Sequence, residues 1–174
     1  MNRNELIEHI RAKKSFLCVG LDPDIDKLPS PISRDADGIL EFCTHIIEAT
    51  KEYCVAYKIN SAFFEALGWK GYRAMEEVIS RIPKTHFIIA DAKRGDIGNT
   101  SKQYAKAFFE TMGADAITIA PYMGADSVQP FLSYKDRWGI VLGLTSNAGS
   151  ADFELLEKDG MYFFEAVLGK SAQW

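Results

Sequence analysis

Five short apolar runs, rich in β-branched or aromatic residues, punctuate the chain at residues 16–21, 55–59, 86–90, 116–120 and 139–144. Apolar on both faces, they predict buried strands. Between them, apolar positions recur every three or four residues: Ile39, Cys43, Ile46, Thr50 and Tyr53 form one series, and Tyr104, Ala107, Phe108 and Met112 another. That period predicts helices. A further helix is expected over about residues 4–13, and the first helix after residues 16–21 should start at Asp35 or Asp37, beyond the Leu28-Pro29-Ser30-Pro31 turn. A last helix should begin near Met161. Strand and helix alternate throughout.

Strand starts lie roughly 25 to 40 residues apart, near the length of a βαβ unit. A parallel sheet covered by helices follows, either doubly wound or closed into a barrel. Polar residues decide between the two. Asp22 follows the first run, Lys58 and Asn60 end the second, Asp91 and Lys93 end the third, Tyr122 follows the fourth, and Thr145 and Ser146 end the fifth. Polar groups at successive strand C-termini are how a TIM barrel builds its site. No Gly-x-Gly-x-x-Gly follows the first run, and Asp22-Pro23-Asp24 would repel a pyrophosphate there. The expectation is an α/β chain of the TIM (β/α)8 barrel class, a single domain over residues 1–174 with about five βα units. Since a complete barrel takes eight units and about 250 residues, three are expected to be absent. The helix over residues 4–13 would close the barrel floor, and the first and fifth strands would be unpaired edges.

Composition narrows the classes without changing this picture. With 174 residues, 47% hydrophobic and 25% charged, the chain is of ordinary globular type. No stretch reaches the roughly 18 apolar residues of a membrane span, so a cytoplasmic location is expected. A net charge of −4 disfavours nucleic acid or an acidic membrane as general partner. Cys18, Cys43 and Cys54 form no Cys-x-x-Cys pair and are read as packing residues. His9, His45 and His86 show no metal-binding spacing, and Ser146 has no His or Asp near it in sequence to make it a nucleophile. Trp69, Trp138, Phe63, Phe64, Phe108 and Phe109 are expected to fill the space between helices and sheet.

The densest chemical signal is Asp91-Ala92-Lys93-Arg94-Gly95-Asp96. Strand alternation would point Asp91 and Lys93 to one side and Arg94 away from them, onto the outer layer, with Asp96 on the following loop. Gly95 and Gly98 would permit the tight turn into the next helix. Lys58, on the neighbouring strand, would complete an alternating array of two lysines and two aspartates. Such an array stays charged in a restricted space only because opposite charges surround each member.

These residues carry a resemblance. Asp91, Lys93 and Asp96, followed by Ile97 and Thr100, are similar to the Asp-x-Lys-x-x-Asp signature of orotidine 5′-monophosphate decarboxylases. Residues 18–24, 57–60 and 144–147 resemble the same family's first, second and fifth strand ends, and residues 91–98 and 120–124 resemble its bacterial branch with longer chains. The chain departs from that branch at Ala148, where proline is frequent, and in everything that would follow the fifth helix. The resemblance implies a cofactor-free and metal-free carboxy-lyase that converts orotidine 5′-monophosphate to uridine 5′-monophosphate in pyrimidine biosynthesis. Lys93 would protonate C6 of the pyrimidine, Asp91 would sit beside the departing carboxylate, and Lys58 would contact Asp91 and the ribose. Asp22 would hold a ribose hydroxyl, Asn60 belongs with the substrate-binding set, and Ser146 would recognise the pyrimidine. Asp96, Ile97 and Thr100 would reach the neighbouring subunit's site in a homodimer.

Two other readings remain. A sister activity in the same barrel group, a sugar-phosphate decarboxylase or hexulose-phosphate synthase, shares the motif but uses magnesium held by an acidic residue where this chain has Lys58. The other is a non-catalytic partial barrel, because TIM-barrel enzymes commonly hold a substrate phosphate with loops after strands seven and eight.

Overall fold

The computed structural model describes residues 1–174. Five strands, β1 (Cys18–Leu21), β2 (Ala56–Asn60), β3 (Phe87–Arg94), β4 (Ala116–Ile119) and β5 (Trp138–Val141), form a parallel sheet in sequential order, with β1 and β5 at its edges. Helices separate them: α1 (Arg3–Lys13) precedes β1, then come α2 (Ala36–Thr50), α3 (Ser61–Glu65), α4 (Gly68–Arg81), α5 (Gly98–Lys106), α6 (Ala125–Leu132) and α7 (Phe163–Ser171). The result is part of a TIM barrel, five consecutive strands with their covering helices.

Local chemistry explains the helix limits. The Asp35 carboxylate accepts the Gly38 N–H at 2.9 Å and so caps α2, whose buried stripe is Ala36, Ile39, Cys43 and Ile47. The buried face of α4 is Gly71, Ala74, Met75, Val78 and Ile79, and α2 packs on α4 as α5 packs on α6. After α5 the chain widens into a π turn over Ala107–Thr111. An α-helix would turn adjacent residues about 100° apart, and the wider turn lets both Phe108 and Phe109 enter the core.

All four residues of β4 are buried, as a strand covered on both faces requires. At the N-terminal end of the sheet, Leu6 and Ile10 of α1 pack against Val55, Ala56, Phe87 and Ala116, which closes the floor. Lys13 fastens that helix: its ammonium donates to the carbonyl of Lys51 and to that of Cys54 at 2.9 Å, and lies 3.1 Å from His86 Nε2, which itself donates to the Lys51 carbonyl at 2.8 Å. Beneath β4, the buried Asp115 carboxylate accepts the Ile88 N–H and an Arg137 N–H, each at 3.0 Å.

Several expectations are corrected. The first strand starts at Cys18 rather than residue 16: Phe16 is 87% exposed, and Leu17, though its carbonyl accepts the Val55 N–H at 3.0 Å, precedes the first paired residue. The third strand runs on to Arg94, and the fifth ends at Val141. A short antiparallel hairpin of β6 (Glu157–Lys158) and β7 (Met161–Tyr162) precedes α7, which therefore begins at Phe163 instead of Met161. Cys43 and Cys54 are buried, but Cys18 is exposed on the edge strand. Trp69 is not core either; it stands 71% exposed on α4.

Candidate functional site

The parallel register delivers charged side chains to the C-terminal end of the sheet. Gly20 pairs with Lys58 between β1 and β2, and Asn60 pairs with Asp91 between β2 and β3. Asp22, one residue beyond β1, thus stands beside Lys58, and Lys58 beside Asp91. The Lys58 ammonium lies 3.2 Å from Asp91 Oδ2 and 3.5 Å from Asp22 Oδ1. The Lys93 ammonium lies 2.6 Å from Asp91 Oδ1. Asp91 sits between the two lysines with its side chain only 11% exposed, while Lys93 is about half open to solvent.

Burial pushes the Asp91 carboxyl up. The hydrogen bonds from Lys93, Thr118 and Lys58 outweigh that effect and hold it below the ordinary aspartate value. It is therefore an anion at neutral pH, and its two oxygens hold both ammonium groups in place.

Strand alternation does not deliver this geometry. Between Ala90, which pairs with Ile117, and Arg94, which pairs with Ile119, β3 takes four residue steps against two on β4. The excess is absorbed by a bulge in which Lys93 adopts a left-handed backbone with φ 47°. For a lysine such a conformation costs about 1–2 kcal/mol, so surrounding contacts must hold it. Thr118 of β4 supplies one: its hydroxyl accepts the Lys93 N–H at 2.9 Å and donates to Asp91 Oδ1 at 3.0 Å.

Arg94 supplies another contact. It points away from Lys93 to the helix side of the sheet, as alternation implied, but is largely buried there, donating to the Ala92 carbonyl at 2.6 Å and pairing with Glu65. Its guanidinium lies 5.3 Å from the Tyr104 ring centre and 5.4 Å from that of Phe108. Gly95 then passes so close to β4 that a Cβ there would stand 2.8 Å from the Ala120 carbonyl oxygen.

The structure gathers only part of the expected set. Lys58, Asp91 and Lys93 come together, and Asp22 joins them as the second carboxylate. Asp96 does not: its carboxylate accepts the Ile97 N–H at 2.8 Å, and it forms no ion pair with either lysine. Ile97 is exposed at the start of α5, with Thr100 half-buried in its first turn. Asn60 uses its side-chain oxygen to cap α3, accepting the Ala62 N–H at 3.3 Å. Ser146 is exposed on the loop after β5 and hydrogen-bonds to none of the cluster.

Thr118 was missed by sequence reasoning. Its only signal is a hydroxyl in an otherwise apolar buried strand, where threonine is an ordinary strand former. A cavity of about 580 Å³, lined by Tyr122, Leu142, Phe153 and Phe163 among others, opens between the ends of β4 and β5 and α7, and includes none of the ion-paired residues.

An ammonium held at a strand end between fixed anions can stabilise negative charge that develops on a bound molecule, and can then donate a proton to it. The neighbours of this chain in sequence and structure are decarboxylases or UMP synthase by name. An orotidine 5′-phosphate decarboxylase of Phocaeicola vulgatus is 55% identical over the whole of this chain, which spans 65% of that relative's length. The Leishmania donovani OMP decarboxylase superposes with a TM-score of 0.85 at 45% identity, covering 94% of this chain and 62% of its own. Leishmania donovani UMP synthase superposes with a TM-score of 0.86 over 96% of this chain and 36% of its own, also at 45% identity. The profile of the orotidine 5′-phosphate decarboxylase / HUMPS family matches residues 15–167, and with the strand-end lysines and aspartates in place the chain belongs to that family.

Proposed function

We propose that the protein decarboxylates orotidine 5′-monophosphate to uridine 5′-monophosphate, with residues 1–174 forming the N-terminal part of a single TIM-barrel domain. The observation that carries this reading is the Lys93 ammonium held 2.6 Å from Asp91 at the end of β3. The bond from C6 to the carboxylate breaks, carbon dioxide leaves, and the electron pair stays on C6. The Lys93 ammonium faces that carbon, stabilises charge present only after the bond has broken, and transfers a proton to it. Lysine leaves the step as a neutral amine and regains its proton from solvent.

Asp91 keeps Lys93 charged and oriented, and Lys58 links Asp91 to the ribose. Asp22 takes a ribose hydroxyl, Asn60 lies at the same strand end, and Ser146 meets the pyrimidine ring. Asp96, free of the ion-pair cluster in its own chain, serves the partner's site in a homodimer together with Ile97 and Thr100. The partners are thus the nucleotide and a second copy, in the cytoplasm, with neither nucleic acid nor membrane involved. No helix is long and apolar enough to cross a membrane.

The magnesium-dependent sister activity is disfavoured by Lys58. Its ammonium occupies the place between Asp22 and Asp91 where a cation would have to bind, and would repel it. The test follows the loss of the orotate chromophore. Turnover that persists with a chelator and disappears in Lys93→Ala is expected. Chelator-sensitive turnover would transfer the chain to the sister activity, and near-normal turnover in Lys93→Ala would overturn the mechanism. Chain that neither turns over orotidine 5′-monophosphate nor binds uridine 5′-monophosphate would favour the non-catalytic partial barrel.

A further inference from the structure

We propose that Thr118 is a positioning residue for the decarboxylation, a single hydroxyl that closes the β3 bulge and fixes the Asp91–Lys93 pair. The inference rests on the decarboxylase reading for its kinetic consequence, though its geometric content stands on the ion-pair cluster alone.

The bulge sets a problem that Thr118 solves. Because four steps of β3 face two steps of β4, the backbone around Lys93 departs from the regular ladder. The Lys93 N–H then turns to a side-chain acceptor at a partly buried position. Thr118 is 7% exposed, and its Oγ1 accepts that N–H at 2.9 Å. The same oxygen carries one proton, and that proton is directed to Asp91 Oδ1 at 3.0 Å.

One atom thereby ties the main chain of the proton donor to the carboxylate that orients its ammonium, which lies 2.6 Å from the same Oδ1. Asp91 Oδ2 is taken by Lys58 at 3.2 Å. Each carboxylate oxygen therefore has a fixed donor, and Asp91 has no freedom to rotate. Without the hydroxyl, Oδ1 keeps only the half-exposed Lys93, and the partly buried Lys93 N–H loses its acceptor. Valine, equal in shape to threonine, removes the two bonds and keeps the packing; serine keeps the bonds and removes a methyl.

The experiment combines two readouts on the chain, compared with Thr118→Val and Thr118→Ser. The first is the titration of the Asp91 carboxyl by carbon-13 NMR, with Asp91→Asn as assignment control. The second is the split of kcat and KM for orotidine 5′-monophosphate. Thr118→Val should titrate Asp91 at higher pH than the parent and lower kcat about 10- to 100-fold with KM little changed. Thr118→Ser should restore both.

A purely structural threonine would leave the titration where it was, and that result overturns the assignment, as does a Thr118→Ser variant as impaired as Thr118→Val. Should Thr118→Val fail to fold by circular dichroism, Thr118→Ala is read against the same two outcomes. A parent chain that turns over no orotidine 5′-monophosphate, while the valine variant still moves the Asp91 titration, removes the decarboxylase reading and leaves the positioning role standing.

Discussion

Lys93 combines a left-handed backbone, φ 47°, with membership of a strand, and this unusual pairing is what turns its ammonium onto Asp91. Three neighbours hold it there: Thr118 at its N–H, Arg94 at the preceding carbonyl, and Gly95, whose missing Cβ lets the chain pass Ala120. Gly95→Ala should therefore lose about 1–3 kcal/mol in urea denaturation, because its Cβ would meet a backbone oxygen that cannot move aside. Acid should act on Asp91. Its folded carboxyl titrates below the unfolded value near 3.8, so the stabilisation is complete above that pH and is lost as pH falls through the folded value. The stability gap between the parent and Asp91→Asn, followed in urea across pH 2–6, should close at the acid end of that range; a constant gap would show that ionisation of Asp91 does not matter. The residue types of this site were legible as Asp-x-Lys beside Lys58, since charged groups at barrel strand ends are few. The route by which they meet was not, because alternation counts residues and a bulge changes the count.

At the scale of elements, α1 shows how a helix is fastened and where the fastening is sensitive. Lys13 donates to the Cys54 carbonyl beside His86, whose ring the His9 ring meets edge-on with centroids 5.6 Å apart. Burial, then Lys13, then His86 lower the His9 pKa below its ordinary 6.5, so the folded chain resists a proton that the unfolded chain accepts. The unfolded state binds more protons between the two values, and stability must fall as pH drops below about 6.5. Thermal unfolding followed by circular dichroism should show a melting temperature that declines from pH 7 to pH 5, with a shallower decline in His9→Phe; equal slopes would dismiss His9 as the source. Helices with clear periodicity, such as α2 behind its Asp35 cap, were legible nearly to the residue. Strand ends were not: Phe16 and Leu17 read as strand by composition, yet β1 begins at Cys18. The β6–β7 hairpin, two residues a side, carries too little pattern to be seen in sequence.

For the molecule as a whole, sequential strand order leaves β1 and β5 each with one open edge, and apolar groups accompany them: Phe16 is 87% exposed, Leu144 50% and Phe153 70%. An unpaired apolar edge recruits another strand. A second adhesive surface lies at the top of the sheet, where Ile97 is 61% exposed, Tyr122 82% and Met123 49%. The two surfaces predict different assemblies. A two-fold contact through Ile97 uses the same patch on both copies and closes at the dimer, whereas β1 of one copy against β5 of the next is a heterologous contact that continues without closing unless it forms a ring. Sedimentation velocity across a concentration series should therefore show a dimer at low concentration and a growing set of larger species above it. Cys18→Lys, which places a charge on the exposed position of the edge strand, should remove the larger species and spare the dimer. Ile97→Lys should do the reverse, weakening the dimer while the open-ended series persists. A clean monomer at every concentration would count against both surfaces, and loss of all association in Cys18→Lys alone would mean that the sheet edge, not the Ile97 face, brings the copies together.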